Sequence, residues 1–582
     1  MKRLILTAAL AAACLLPRTA DAQVEKQVEV TKEYVPQLQQ AAKLPVEPDM
    51  TDTTRMRPEI AYTVTPLSLS SALAMQPIQP ATVTYWDFNR PLPFYVKAGA
   101  GYPLNSVFDL YAATQHPNTG YLVGYINHDG RFADIANSFG LKHNSTQMQN
   151  RIGAAAGTYV GRHTLEGSIA YENRLRHRYG AWAADASAAD LLPAAPGARV
   201  DFGEADFAIR FGDDFHDLSR LNFDIAFGGN LFYDHTDWQA GTDDARRQLT
   251  LQAAAKLAKA FGKHRIGIEA GYERLAGRRA LDAMKEDRVH AALRYGAAGR
   301  VIDFEAGVDY YYDQLAGSRG RHYVLPFLRL DFNFGTSAMH PFFELDGALQ
   351  ENSYRTLTRE CPYVVPGSWG PRNTRINNGR LGIRGDLWRD RFTYRLYAAL
   401  SIRDYRNYWY AVGFYDPATE AAAALTGAFA FEQGRQTLMS LHGEVEFRPA
   451  SALVLDLGFR GYIFHDDPDL RNGMPAFEAR FGARYTVKRL TLGLSLTARS
   501  ARDWSTIYYD LHSGATAVPE EPGATVFTDA ATADLRFTVD WKLSGRFALF
   551  AEGDNLLNRR QHLFAWYPDY GARFTAGIKF AF

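Results

Sequence analysis

The sequence predicts an all-β chain: a transmembrane antiparallel β-barrel of about 22 strands behind a short proline-rich N-terminal extension. Three observations carry that reading. Apolar and polar residues alternate with period two in run after run between residues 93 and 582. Many of these runs reach the ~9–11 residues of a tilted membrane strand, whereas strands of soluble proteins average about 5–6. Beyond the N-terminus, no stretch approaches the ~20 apolar residues that a membrane helix needs.

Composition agrees. The 64 basic and 64 acidic side chains cancel, which argues against nucleic acid as a partner, since phosphate binding wants excess Lys and Arg. With 47% hydrophobic and 22% charged residues the chain is not of the disordered class. The mean hydropathy of −0.27 excludes a helical membrane protein but not a barrel, whose alternating strands average to a soluble-looking value.

The N-terminus is the first element. Lys2 and Arg3 precede a largely apolar stretch from Leu4 to Leu16, and Ala20-Asp21-Ala22 offers a small-x-small cleavage site. Residues 1–22 therefore read as a signal peptide for export, with lipidation at Cys14 as the competing reading. After cleavage Cys361 has no partner thiol, so no internal disulfide is expected. Residues 23–92 form the second element, a proline-rich periplasmic or lumen-filling segment. Nine of the 26 prolines fall between Gln23 and Pro93, and each removes a backbone donor.

Residues 93–582 form the third element, the barrel. Leu490, Leu492, Leu494, Leu496 and Ala498 share one face, with Thr491, Gly493, Ser495, Thr497 and Arg499 on the other. Phe477 to Val487 and Ala533 to Leu543 repeat the pattern. The oily face meets lipid and the polar face lines the lumen, so Arg480, Arg484 and Arg536 should point inward. A sheet in hydrocarbon cannot have a free edge, because each unpaired backbone group costs on the order of several kcal/mol. Closure follows.

Turn signals near Pro117-Asn118, Gly161-Arg162, Ser219-Arg220, Gly262-Lys263, Gly299-Arg300, Thr336-Ser337, Arg389-Asp390, Pro449-Ala450, Lys488-Arg489 and Ser544-Gly545 divide the chain into strand pairs. With strands near 93–102, 107–115, 547–557 and 573–582, the count is about 22, and an even count places both ends in the periplasm. Segments near 177–200, 354–375, 412–434, 502–527 and 559–571 are then extracellular loops. The aromatic clusters Tyr310-Tyr311-Tyr312 and Tyr405, Tyr408, Trp409, Tyr410 are expected in the interfacial girdles.

The chain ends in an alternating strand with Phe574, Ala576, Ile578, Phe580 and Phe582 on one face. Phe574, Ile578, Phe580 and the terminal Phe582 resemble the signal read by the barrel-assembly machinery, which would act by strand addition. The tail as a whole, Gly553-Asp554-Asn555-Leu556-Leu557-Asn558, then Tyr567-Pro568, then Gly571-Ala572-Arg573-Phe574, resembles that of TonB-dependent receptors. That resemblance makes Asn555, Leu556, Leu557 and Asn558 the family's tail motif. It implies an outer-membrane transporter or receptor of a Gram-negative bacterium, in a barrel of the size that holds a plug. The chain departs from the family in that residues 23–92 lack plug-like glycine patterning. Val28-Glu29-Val30-Thr31 resembles the family's energy-coupling box, a match that arises easily by chance.

No catalytic constellation stands out: there is no Gly-x-Ser-x-Gly elbow, His-Glu-x-x-His helix or phosphate loop. No catalytic, cofactor or metal residue is assigned, and the chain is not expected to be an enzyme. Asp303, Glu305 and Asp309 form a carboxylate row that is expected to face water or to pair with arginine. The favoured function is transport, reception or porin-like passage of a solute. The alternative is a non-transporting outer-membrane scaffold subunit of an assembly or export complex. Expected partners are outer-membrane lipid, the barrel-assembly machinery during insertion, and a periplasmic or outer-membrane protein bound through residues 23–92.

Overall fold

The protein is described here by a computed structural model covering residues 93–582, apart from 117–118, 186–191, 193–195, 237–245, 366–370, 389–390, 420, 466–472, 511–515 and 518–525. The signal peptide, Cys14, the segment 23–92 and the turn signals Pro117-Asn118 and Arg389-Asp390 lie outside the described residues.

Twenty-two antiparallel strands form the wall. They are β1 (Phe94–Tyr102), β2 (Asn105–His116), β3 (Gly120–Arg131), β4 (Gln147–Val160), β5 (His163–His177), β6 (Arg199–Gly212), β7 (Asn222–Asp234) and β8 (Arg246–Phe261). Next come β9 (His264–Arg279), β10 (Lys285–Ala298), β11 (Ile302–Leu315), β12 (Arg321–Phe332), β13 (His340–Gln350), β14 (Thr374–Leu387) and β15 (Phe392–Asp416). The last seven are β16 (Ala421–Ala450), β17 (Leu453–Phe464), β18 (Phe477–Val487), β19 (Leu490–Arg499), β20 (Thr532–Lys542), β21 (Phe547–Asp554) and β22 (Arg573–Ala581). Each pairs with its chain neighbours, and β22 pairs with β1 through Val96 opposite Phe580, so the ring has no free edge. Phe94 and Phe582 exchange backbone hydrogen bonds of 3.0 Å at the join.

Alternation sets the two faces. Val324 (67% exposed), Ile169 and Leu381 point out to lipid. Between them on the chain, Arg294 meets Asp309 at 2.6 Å, Arg288 meets Glu273 at 2.6 Å and Arg380 meets Asp346 at 2.5 Å across the inner face. Arg536 likewise faces inward, 2.7 Å from Glu552, while Arg480 and Arg484 alternate with lipid-facing Phe477, Phe481 and Tyr485. The carboxylate row resolves as paired: Glu305 meets Arg265 at 2.6 Å, Asp309 meets Arg294, and Asp303 accepts the Gly299 amide at 2.9 Å.

One end turns tightly. Gly161 and Gly262 take φ of 65° and 63° in two-residue links that bulkier side chains would strain. Trp388, Phe392 and Phe447 cluster at this rim, and Tyr310 and Tyr312 gather around His322 at the other. Both are girdle positions. One expected loop is different: 412–434 is mostly strand, because β15 and β16 run to 25 and 30 residues and rise well past the lipid band. What holds them there is the mouth of the barrel.

Candidate functional site

The connections at the long-loop end turn inward rather than outward. The short strand Trp182–Ala183, from the β5–β6 connection, pairs with Ala424 and Leu425 of β16. In a ring of 22, β5 and β16 are eleven positions apart either way, so this ladder crosses the mouth. The strand Arg502–Asp510, from the β19–β20 connection, pairs in parallel with Tyr410–Tyr415 of β15. Val364 bridges to Phe429, whose amide donates to the Tyr363 carbonyl at 2.9 Å. The tall hairpin is thus a spine on which the other loops are laid.

A short helix, α1 (Tyr354–Glu360), follows β13. Ser353 caps it and closes a capping box with Thr356, which satisfies backbone donors that would otherwise be buried. The helix reaches strands six and seven positions away round the ring. Tyr354 donates to Asp234 on β7 at 2.6 Å, and Arg355 and Arg359 meet Glu204 on β6 at 3.0 and 2.5 Å.

Between these elements lies an aromatic core: Tyr179, Tyr363, Trp409, Phe429, Trp504, Phe564 and Tyr567 are all essentially inaccessible to water. Tyr363 stacks on Tyr567 at 4.0 Å, and Tyr179 meets Tyr567 edge-on at 5.0 Å. Three of the polar ends find partners: Tyr179 donates to the Pro568 carbonyl at 2.9 Å, Tyr567 to the Gly427 carbonyl, and the Trp409 indole to Glu360 at 3.3 Å, whereas the Trp504 indole nitrogen is buried without a hydrogen bond. Burial pushes the Tyr567 phenol and the Cys361 thiol up, and pushes the Glu360 carboxyl up against the pull of Arg406. Buried phenols of this kind are apolar bodies with one fixed hydrogen bond each. The assembly is a packed lid, built from loops laid on the tall β15–β16 hairpin.

Beneath the lid the lumen is polar. A cavity of about 270 Å³ next to α1 is lined by Arg151, Asp206, Asn230, Glu273, Glu351 and Arg355 among others. Among the described residues no group of three or more His, Cys, Asp or Glu could hold a metal ion.

The sequence-derived positions sort clearly. Tyr408 and Trp409 are not girdle residues: they lie 5% and 1% exposed, Trp409 inside the lid, because β15 continues past the lipid rim before they occur. Cys361, expected in an external loop, is buried in the lid. Asn555 and Asn558 take left-handed φ of 47° and 49°. Asn555 donates to the Arg559 carbonyl at 2.8 Å and Asn558 accepts the Ala572 amide at 2.9 Å, while the Leu556 amide donates to the Leu535 carbonyl. The motif, which ends in the exposed Leu557, folds the base of the last loop. Phe574, Ile578, Phe580 and Phe582 face outward along the closing strand. Sequence reasoning missed the lid itself. The signal was there in apolar loop segments, Cys361 to Val365 and Phe564 to Tyr567, which an exposed loop has no reason to carry.

No protein-family model matches this chain, and no curated protein matches it. Solved structures do. The siderophore receptor PirA from Acinetobacter baumannii superposes with a TM-score of 0.61 at 11% identity, over 84% of this chain and 80% of that one. The FrpB iron transporter from Neisseria meningitidis (F3-3 variant) does so at 0.61 and 9%, over 85% and 82%. The copper transporter OprC gives 0.58 and 13%, over 84% and 80%. At such identities the likeness is one of fold. The chain is similar to TonB-dependent receptors in its fold, a closed 22-strand β-barrel.

Proposed function

We propose that this chain is an outer-membrane transport receptor whose outer mouth is gated by its own loops. The long-loop end faces outside, as the even strand count implies. The observation that carries the reading is a polar lumen under a lid that crosses the ring on pairing and aromatic contacts separate from the wall ladder. Such a lid can open while the barrel stays closed. The solute is water-soluble and unidentified, and the charged lining favours a polar one. Residues 23–92 serve on the other side, as a lumen-filling segment or as the tether for a protein partner. Phe574, Ile578, Phe580 and Phe582 supply the assembly signal.

Purified protein in planar bilayers tests this. The wild type conducts little, Phe429→Ala conducts more, and removal of residues 24–90 adds to the gain. Silence from all three proteins would count against transport. It would favour the second reading, a closed scaffold, which the density of the lid core supports.

A further inference from the structure

One seam of the wall is laddered over less than half its length. β12 and β13 are 12 and 11 residues long, yet their ladder holds only four pairs, from Leu328–Leu345 to Asp331–Phe342. Among the described residues the next shortest wall ladder, β20–β21, has six, and one of its strands is only 8 residues long. The four pairs lie toward the tight-turn end. The rest of the seam, residues 322–327 beside 346–350, therefore runs through the outer half of the lipid band, up to the aromatic rim at His322. Each backbone group left unpaired in hydrocarbon costs on the order of several kcal/mol, so a stretch held at that cost marks a place where the wall is built to part.

Three local features make the seam. Pro326 has no amide hydrogen to give to a ladder. Gly347 leaves room for Leu325, because a β-carbon there would lie 2.7 Å from that of the leucine. The Leu349 amide donates to the phenol of Tyr311, which reaches past β12 from β11. Leu325 has the inward parity of β12, next to lipid-facing Val324, and Leu349 has the outward parity of β13, where Asp346 faces in toward Arg380. Both leucines are nonetheless hidden, at 2% and 7% exposed. Two leucines of opposite parity thus fill the slit, and side chains close it where a ladder would.

The two mouths of the slit differ in chemistry. Val324 and Pro326 stand exposed on the lipid side. On the lumen side Leu325 lies opposite Asp309 of β11, which meets Arg294 at 2.6 Å and His290 at 3.3 Å. His290 in turn stacks on Tyr311 at 4.5 Å. A molecule lying here meets hydrogen-bonding groups at one end and leucine at the other, as an amphiphile requires.

We infer that the outer half of the β12–β13 seam is a lateral passage for the aliphatic tail of an amphipathic solute, whose polar head stays in the lumen beside His290 and Asp309. The tail takes the place of Leu325 and Leu349, and no ladder bond breaks to admit it. A slit filled by single leucines takes a single chain. The inference rests on the transport reading for the outward orientation of the long-loop end, and it narrows the solute to one that carries such a tail.

The test uses the full-length protein in phospholipid nanodiscs, with monopalmitoylglycerol carrying a photoactivatable diazirine midway along its chain. Light-induced label is expected on lumen-facing Tyr311 and on Leu349. It falls about ten-fold when a disulfide closes the seam in Leu325→Cys/Gly347→Cys, whose β-carbons lie close enough to be joined, and dithiothreitol restores it. Cys361 is buried in the lid and does not compete. Leu325→Ala/Leu349→Ala, which needs no disulfide, raises the label several-fold. A diacyl phospholipid with the same diazirine labels Val324 from outside and leaves Tyr311 clear. Heat-modifiable gel mobility reports that each barrel is folded. No label on Tyr311, label indifferent to both pairs of substitutions, or equal label on Tyr311 from the diacyl lipid would each overturn the assignment. Conductance is a separate readout, so a barrel that conducts but takes no label would refute the passage and leave the transport reading standing.

Discussion

At the tight-turn end, Gly161-Arg162 and Gly262-Lys263 reverse the chain in two residues, and each strand bonds only to its two neighbours. At the long-loop end, Trp182–Ala183 pairs with a strand from the far side of the ring, and α1 docks on β6 and β7. The first region is a repeat of local ladders, held in shape by the solvent outside it. The second is a small aromatic core made from segments hundreds of residues apart, such as Tyr179 and Tyr567. Closing long loops costs entropy that only dense packing offsets. The lid and the wall therefore fail separately, and each has its own way of being broken.

The largest effect belongs to the lid. Tyr567→Ala removes a buried ring that touches Tyr363, Tyr179 and Phe429, and large aromatic-to-alanine changes in a core cost about 3–5 kcal/mol. Amide exchange in the loops should rise by orders of magnitude while the heat-modified gel shift of the barrel persists. Loss of both together would mean that the lid and the wall are one cooperative unit.

The wall answers to a different change. Leu396→Arg places a charge in the middle of the lipid-facing row of β15, at a cost of roughly 2–4 kcal/mol. Urea titration in lipid vesicles should show the barrel destabilised by that amount. The same change at Leu563, packed against the lid core, should leave the barrel midpoint alone.

A smaller effect is set by pH. Asp529, beside the last loop, meets His562 at 3.0 Å, Arg499 at 2.6 Å and Arg502 at 3.2 Å. Burial alone would raise its carboxyl, but these partners outweigh burial and hold it well below the ordinary carboxylate range. A depressed folded-state pKa contributes stability that is present above the unfolded value of about 3.9 and is lost as pH falls through the folded one. Limited proteolysis of the 500–531 and 555–572 connections should therefore quicken below about pH 4, and Asp529→Asn should remove most of that dependence. A flat wild-type profile between pH 7 and 3 would show that this cluster does not anchor the loops.

Much of the barrel was legible. Period-two runs such as Leu490–Ala498 have one oily face too long for a soluble strand, and hydrocarbon forces such strands to close. Among the described residues, turn signals then fell in the tight links, with Pro449-Ala450 displaced because β16 runs on to Ala450. The carboxylate row at Asp303, Glu305 and Asp309 was readable as paired, since lumen charges on adjacent strands meet across the register. The lid was not. Trp409 reads like a girdle aromatic, because nothing local tells an aromatic at a lipid rim from one in a core assembled by distant loops.

Sequence by itself determined what each residue's neighbourhood can decide: strand, face, turn and the need for a closed ring. Solvent chemistry and two-residue periodicity act locally, so they are written locally. Only the tertiary structure decided that the mouth is shut and that α1 docks on β6 and β7. Those depend on which strands face each other across the ring. Such facts belong to the closed circumference, and no single stretch of chain carries them.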